Sequence, residues 1–450
     1  TTPAAACILA TRIRPLMPPA PRPFCAVDFG TSNSAIAVPT PEAGLSLVEL
    51  EPGQVTMPTA VFYRVEGLAN HEPPERVYGR PGLAAYLEGQ EGRLMRSMKS
   101  ILGSTLASQS TDVGEGRSVR YLDVVTGYLQ HLKSLAERRT QAPLERAVLG
   151  RPVFFVDGDP QRDAQAQQTL ADAAHAAGWR ELSFQYEPIA AALDYEQGID
   201  HEALVLVADI GGGTSDFSLV RVGPQRRTRL DRKDDILANH GVHLAGTDFD
   251  RHVELAGILP LCGYRGLGPA RADGAAPREV PSRVYFDLAT WHLINTVYTA
   301  PRVAELRRMK GFYGDPQHHQ RLMRVVEDRL GHALLGRAEE AKIAVAEGGA
   351  THIDLGLLEP GLRVGFDATQ ALAALDADLE RIAEAVDVTL QMAGTPPEAV
   401  NVVYFTGGST GFSPLTRRLA ARVPTARVVH GDRNASVGLG LGLHARRLFQ

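Results

Sequence analysis

Between Ala203 and Val220 the chain reads ALVLVADIGGGTSDFSLV, and this stretch constrains the fold more than any other. An apolar run from Leu204 to Ala208 reaches Asp209, breaks at Gly211, Gly212 and Gly213, and resumes at Phe217 after Thr214, Ser215 and Asp216. Apolar runs on either side of such a break predict a strand, a tight turn and a returning strand. Glycines let backbone N–H groups converge where side chains would block them, and converging N–H groups suit a phosphate. Thr214 adds a hydroxyl, and Asp209 with Asp216 can hold a hydrated Mg²⁺ through its water. Taken alone, an ordinary glycine hairpin with polar flanks has the same local pattern.

The pattern recurs. Phe24 to Val38 reads FCAVDFGTSNSAIAV, with Asp28 after an apolar run and then Gly30, Thr31, Ser32 and Asn33. A third turn, VVYFTGGSTGFSP from Val402 to Pro414, places Gly407, Gly408 and Ser409 after a strand. Ser413 and Pro414 there are predicted as the N-cap and first-turn residues of a helix. Hairpins of this kind, spread over almost the whole chain, predict two related lobes closing on one nucleotide.

From Phe24 to the C-terminus these motifs resemble, in their order, the DnaK-type heat-shock chaperones of the actin and sugar-kinase ATPase superfamily. The resemblance implies an α/β chain with a two-lobed actin-like ATPase (ribonuclease H-like) fold, a nucleotide cleft between the lobes and an inserted subdomain on each. Lobe I is expected over 24–200 with its subdomain at 41–114, and lobe II over 201–450 with its subdomain at 241–370. The implied ligands are ATP or ADP with Mg²⁺. Asp28, Asp209 and Asp216 are implied for the metal, through water. Gly30, Thr31, Ser32, Asn33, Gly211, Gly212, Gly213, Thr214, Gly246, Gly407, Gly408 and Ser409 are implied for the phosphates and sugar, and Glu339 with Lys342 for ribose and adenine. Lys99, Glu187, Asp209 and Thr214 are implied for catalysis.

Lys99 lies in Leu94–Leu102, LMRSMKSIL, predicted helical. A cation is what phosphoryl transfer needs, because the transition state spreads negative charge over the phosphate oxygens; a solvated surface lysine is the ordinary alternative. Glu187, before Pro188, reads equally as a carboxylate favouring a helix N-terminus. The family also relays nucleotide state through a Pro, an Arg and a Glu, matched here by Pro152, Arg162 and Glu187, with Arg162 about two residues late. Glu339 and Lys342 sit three apart, on one helix face. The arginines that sandwich adenine in many relatives are absent: Ile343 and Gly411 stand at those positions, and Ala346 replaces a serine.

The remaining features narrow the reading. A chain of 450 residues that is 44% hydrophobic can bury more than one core. A net charge of -5 gives no global attraction to nucleic acid. Cys7, Cys25 and Cys262 lack metal-ligand spacing, so reduced thiols and a cytoplasmic setting are expected. No apolar run is long enough for a membrane helix. Residues Thr1–Pro23 read as a flexible extension. His318 and His319 form a pair without further ligands, Asp367–Ala393 is an amphipathic core helix, and Val437–Leu443 (VGLGLGL) has the wrong spacing for a dinucleotide fingerprint. The resemblance extends to the shortened YegD type, implying a chain without the peptide-gripping β-sandwich. The expected function is a chaperone-like switch that hydrolyses ATP slowly and binds an unidentified protein client or partner according to nucleotide state. A nucleotide-binding scaffold without turnover and a small-molecule kinase are the alternatives.

Overall fold

The computed structural model describes residues 23–450 apart from 41, 43, 69–71, 105, 106, 108 and 433–435, so the expected N-terminal extension lies outside the described residues except for Pro23. The first sheet starts from a hairpin, β1 (Phe24–Phe29) and β2 (Asn33–Pro39), in which Asp28 sits opposite Ala35. β3 (Leu45–Leu47) pairs antiparallel on β2, while β4 (Arg146–Arg151) lies parallel to β1 and β5 (Glu181–Tyr186) parallel to β4. Strands covered on both faces read as continuous apolar runs, and β1 is buried along nearly its whole length. β4 stops where Pro152 removes a ladder donor.

Lobe I carries a small sheet in which Ala60–Arg64 is flanked by Glu75–Tyr78 and Gly92–Arg96, backed by a helix at Gly79–Leu87. Leu94–Leu102 is therefore not helical as expected. Its first half is strand, with Met95 opposite Val61, and only Met98–Ile101 coils, as a 3₁₀ turn after Ser97 at φ 52°. Cross-strand pairing and burial override a local helical pattern. The outcome buries Met98, Lys99 and Ile101.

After β5 comes α1 (Glu187–Gln197), then a second sheet that repeats the first. β6 (Ala203–Ile210), β7 (Ser215–Val222) and β8 (Ile236–Val242) run antiparallel in series. α2 (Gly246–Gly257) follows directly. Between Tyr285 and Glu347 two or three helices were expected; among the described residues there are five, Arg283–Ala289, Ile294–Val297, Ala300–Arg308, Pro316–Glu327 and α3 (Gly331–Ala344). Pro301 and Pro316 restart the chain at first-turn positions and so divide it. His319 is a satisfied core residue here, its Nε2 2.9 Å from the Leu306 carbonyl oxygen.

The long helix appears as α4 (Ala368–Met392), closed at its start by Asp367 and Gln370, each side chain accepting from the other's backbone N–H. Its buried stripe runs through Leu375, Leu379, Ile382, Val386 and Leu390, whereas Leu372 is exposed and Ala371 takes its place in the core. β9 (Val402–Thr406) and β10 (Arg427–His430) complete the second sheet, parallel to β6. The order β5-β4-β1-β2-β3 is thus matched by β10-β9-β6-β7-β8, with the same parallel and antiparallel pairings.

α5 (Ser436–Phe449) follows the second sheet in the chain yet packs on α1 and on β1, β2 and β4 of the first. α1 and α5 share one core with both sheets, joining Ala26 and Val148 to Ile189, Leu193, Val205, Val402, Leu441 and Ala445. This explains VGLGLGL. A Cβ at Gly440 would collide with the Ala190 carbonyl of α1, while Gly438 and Gly442, on the opposite face, lie against Ala35 and Ala37 of β2. The glycines admit close helix contact.

One group in the lobe II core is out of keeping with its surroundings. Glu254 on α2 is fully buried with neither carboxyl oxygen hydrogen-bonded, and burial, then Asp250, raises its pKa well above the carboxylate range. A carboxyl whose pKa is raised on folding is held protonated in the fold, so stability falls as pH rises past the unfolded value near 4.5. Glu254→Leu is expected to stabilise the protein at pH 8 by roughly 1–3 kcal/mol and to change it little at pH 4.5. Urea melts of both proteins at the two pH values check this; equal effects at both would show that charge is not the cause.

Candidate functional site

The β1–β2 and β6–β7 turns meet across the space between the sheets. Gly212 approaches Ser32 so closely that a Cβ there would lie 2.8 Å from the Ser32 Oγ. Gly30 is equally confined, since a Cβ would strike the Asn33 carbonyl, and Thr31 and Ser32 are half-buried beside it while Asn33 is exposed. Gly213 has open space in front of it.

The glycine turn is held from behind. Gly246 N–H donates to the Gly211 carbonyl at 3.3 Å, and Thr247 donates to the Gly212 carbonyl from both its N–H and its hydroxyl at 2.8 Å. Ser409 adds its hydroxyl to the Gly211 carbonyl at 2.7 Å. Gly407, at φ 86°, passes where any side chain would hit the Ile210 carbonyl and the Asp209 carboxylate. Gly246, Gly407 and Ser409 thus shape the turn through its carbonyls, and Gly408 lies exposed beside them. Engaging the carbonyls on one side presents peptide N–H groups to the other.

Charged side chains from both lobes converge here. Lys99 and Glu187 form an ion pair, with only 9% and 16% of their side chains exposed. Glu187 is also the first residue of α1, so the helix-terminal position and the lysine contact coexist. Asp209 and Asp216 stand directly opposite across β6 and β7, where like charges repel. Burial, then Glu187, pushes Asp28 up to about 8, with Lys99 opposing and Asp209 adding to it. Burial, then Asp216, pushes Asp209 up to about 7. Burial disfavours the charge of Lys99, yet Glu187, then Asp28 and Asp216, keep its pKa above the ordinary value. Thr214 hydrogen-bonds Asp216. Among the described residues no three His, Cys, Asp or Glu side chains are grouped to chelate a metal directly. Repelling carboxylates at this looser spacing fit a divalent cation held through its water shell.

The base side is built differently. On α3, Glu339 is exposed and Lys342 is paired with Asp250 of α2 at 2.5 Å, with the Gly246 carbonyl 3.4 Å away. Ile343 is 63% exposed. Phe412, beside Gly411, is buried against Phe249 at 6.3 Å, so it is a core ring and not a stacking surface. Ser413 does not cap the following helix as expected; its N–H and hydroxyl both donate to the Ala346 carbonyl, and Phe412 takes the N-cap position.

Sequence reading missed four participants. Gly241 makes room for the Asp216 carboxylate opposite it, and a glycine inside strand β8 was the available signal. Asp250 belongs to no site motif and gains its role only through Lys342, which the fold brings beside it. Arg151 links the end of β4 to Asp163 at 2.9 Å and stacks over Tyr186 at 5.0 Å, next to Glu187, whereas Arg162 is exposed and donates to the Gly103 carbonyl at 2.8 Å. The inserted subdomains also touch: Tyr86 stacks on Trp291 at 5.3 Å, Arg96 sits 4.1 Å over the same ring, and His332 edges both aromatics. No short motif announces a cluster assembled from such distant positions.

Comparison with known proteins places these motifs. The family model described as Hsp70 protein matches residues 25–255. The chaperone protein DnaK of Thermosipho melanesiensis is 30% identical over 231 residues, covering 50% of this chain and 34% of that protein. The DnaK proteins of Thermosipho africanus and Thermotoga neapolitana give the same identity and the same coverage. The match therefore spans about a third of the length of these relatives. It takes in both hairpins, Lys99, Glu187 and Asp250, and ends before Glu339, Lys342 and the third turn. No helix among the described residues is long and apolar enough to cross a membrane.

Proposed function

The chain belongs to the Hsp70 family, whose nucleotide-binding region has the actin-like ATPase fold described above, and from that premise we propose that it binds ATP with Mg²⁺ between its lobes, hydrolyses it slowly and uses nucleotide state to set lobe closure and partner binding. The observation that carries this reading is the convergence of Lys99 and Glu187 with Asp28, Asp209 and Asp216 beneath two glycine turns. Asp28, Asp209 and Asp216 would hold Mg²⁺ through its water, and the bound ion supplies neutralisation of phosphate charge. The Gly211–Gly213 turn and the Gly30–Asn33 turn cradle the phosphates from opposite lobes. Lys99, kept charged by Glu187, stabilises developing charge and orients the attacking water. The Tyr86–Trp291–His332 contact gives lobe closure a place to act, because it spans the two inserted subdomains.

Single-turnover hydrolysis of Mg-ATP tests the catalytic assignment. Lys99→Ala and Thr214→Ala are each expected to slow it by roughly 100-fold or more while nucleotide still binds. Unchanged rates in both would remove these residues from the chemistry. A wild type that binds nucleotide yet hydrolyses no faster than buffer would make the protein a nucleotide-dependent scaffold.

The base end supports a second expectation. With Ile343 and Gly411 where relatives place stacking arginines, and Phe412 locked in the core, up to two cation–π contacts of roughly 0.5–2 kcal/mol each are missing. The protein is expected to bind ATP weakly for its family and to favour it over GTP by less than about tenfold. Gly411→Arg, alone or with Ile343→Arg, should tighten ATP binding by an amount in that range. Titrations of ATP, GTP and ADP against these proteins check it; tight, adenine-selective binding by the wild type would refute it.

A further inference from the structure

The first two turns of α2 serve both ends of the cleft. Gly246 and Thr247 hold the carbonyls of the phosphate turn, and one turn later Asp250 takes the Lys342 ammonium at 2.5 Å. Only 12% of either side chain is exposed. Burial pushes Asp250 up to about 6 while Lys342 pulls it back and Glu339 and Asp248 add to the rise. A buried ion pair adds little net stability, because desolvation consumes most of the Coulomb gain, so stability alone does not account for it. Its geometric effect is definite. A lysine ammonium has three N–H donors; it donates one to the Gly246 carbonyl at 3.4 Å, and Asp250 stands beside it as the ion-pair partner at 2.5 Å.

We propose that Asp250 is a positioning residue for the nucleoside end of the cleft, holding Lys342 as a hydrogen-bond donor to sugar hydroxyls and keeping its charge away from the phosphates. The inference rests on the nucleotide reading above. It makes α2 the element that sets the distance between phosphate turn and sugar, since Thr247 and Asp250 share one rigid helix.

The test compares ADP with inorganic pyrophosphate, both with Mg²⁺, by calorimetry. Asp250→Asn, a near-isosteric change, should weaken ADP about tenfold or more while pyrophosphate binds as to wild type, because only the sugar contact is lost. Lys342→Gln should show the same selectivity, and the double variant should lose no more than either single one. A merely structural role would weaken both ligands together. Equal losses for the two ligands, unchanged ADP affinity, or additive losses in the double variant would overturn the inference. Should Asp250→Asn not fold, Lys342→Gln decides alone: wild-type affinity for ADP, or equal loss for both ligands, would overturn it. A wild type that binds neither ligand fails the nucleotide reading itself and is distinguished from these outcomes.

Discussion

Mutual repulsion among Asp28, Glu187, Asp209 and Asp216 is the constraint on which the rest of this structure depends. Each carboxylate is delivered by the end of a strand or the start of a helix, and the two sheets bring them together whether or not a cation is there. Lys99 offsets part of the repulsion, at the expense of being buried itself. Burial first, and the neighbouring carboxylates second, raise the pKa values of Asp28 and Asp209. Only a scaffold with a large apolar core can hold such an arrangement, because native stability is a small margin over opposing terms. The continuous apolar runs of β1, β6 and β9 supply that core.

The same runs explain how two lobes remain one body. α1 and α5 lie in a core shared with both sheets, so separating the sheets would expose Ile189, Leu193, Leu441 and the strand residues they cover. Among the described residues the inserted subdomains touch through the Tyr86, Trp291 and His332 rings and the Arg96 guanidinium, with Arg329 near Gly89, a contact cheaper to break than the shared core. Resistance at the base and a weak contact at the rim favour opening at the subdomains over separation of the sheets.

What could be read in the sequence follows from this division. The two glycine hairpins were legible because glycine, hydroxyl and aspartate are local signals, adjacent in the chain and tied to strand ends. The long helix α4 was legible from periodicity, which does not by itself choose between Ala371 and Leu372, four and three residues before Leu375, for the first core position. Lys99 was placed by motif, yet its local structure was misread, since the strand pairing of Met95 with Val61 lies outside any local window. α5 posed the reverse problem. Its glycines look like a loop motif until the Ala190 carbonyl on α1 is seen against Gly440. Asp250, Gly241 and the Tyr86–Trp291 contact were illegible for one shared reason: each acquires its role from a residue brought near only by the fold.

The two ends of the cleft differ in how they can vary. At the proposed phosphate end the glycine turn is a backbone structure: the carbonyls of Gly211 and Gly212 are fastened by Gly246, Thr247 and Ser409, and a Cβ at Gly30, Gly212, Gly246 or Gly407 would collide with a neighbour. Both glycine hairpins and the start of α2 fall within the part of the chain that matches the family, and Ser409 lies beyond it. At the base end, function resides in side chains projecting from α3 and from the turn after β9, where exchange costs the fold little. Ile343 is mostly exposed, and Gly411 closes a short 3₁₀ turn. The ion pair between Asp250 and Lys342 stands at the border, because it begins on α2, inside the residues that match the family model, and ends on α3, beyond them.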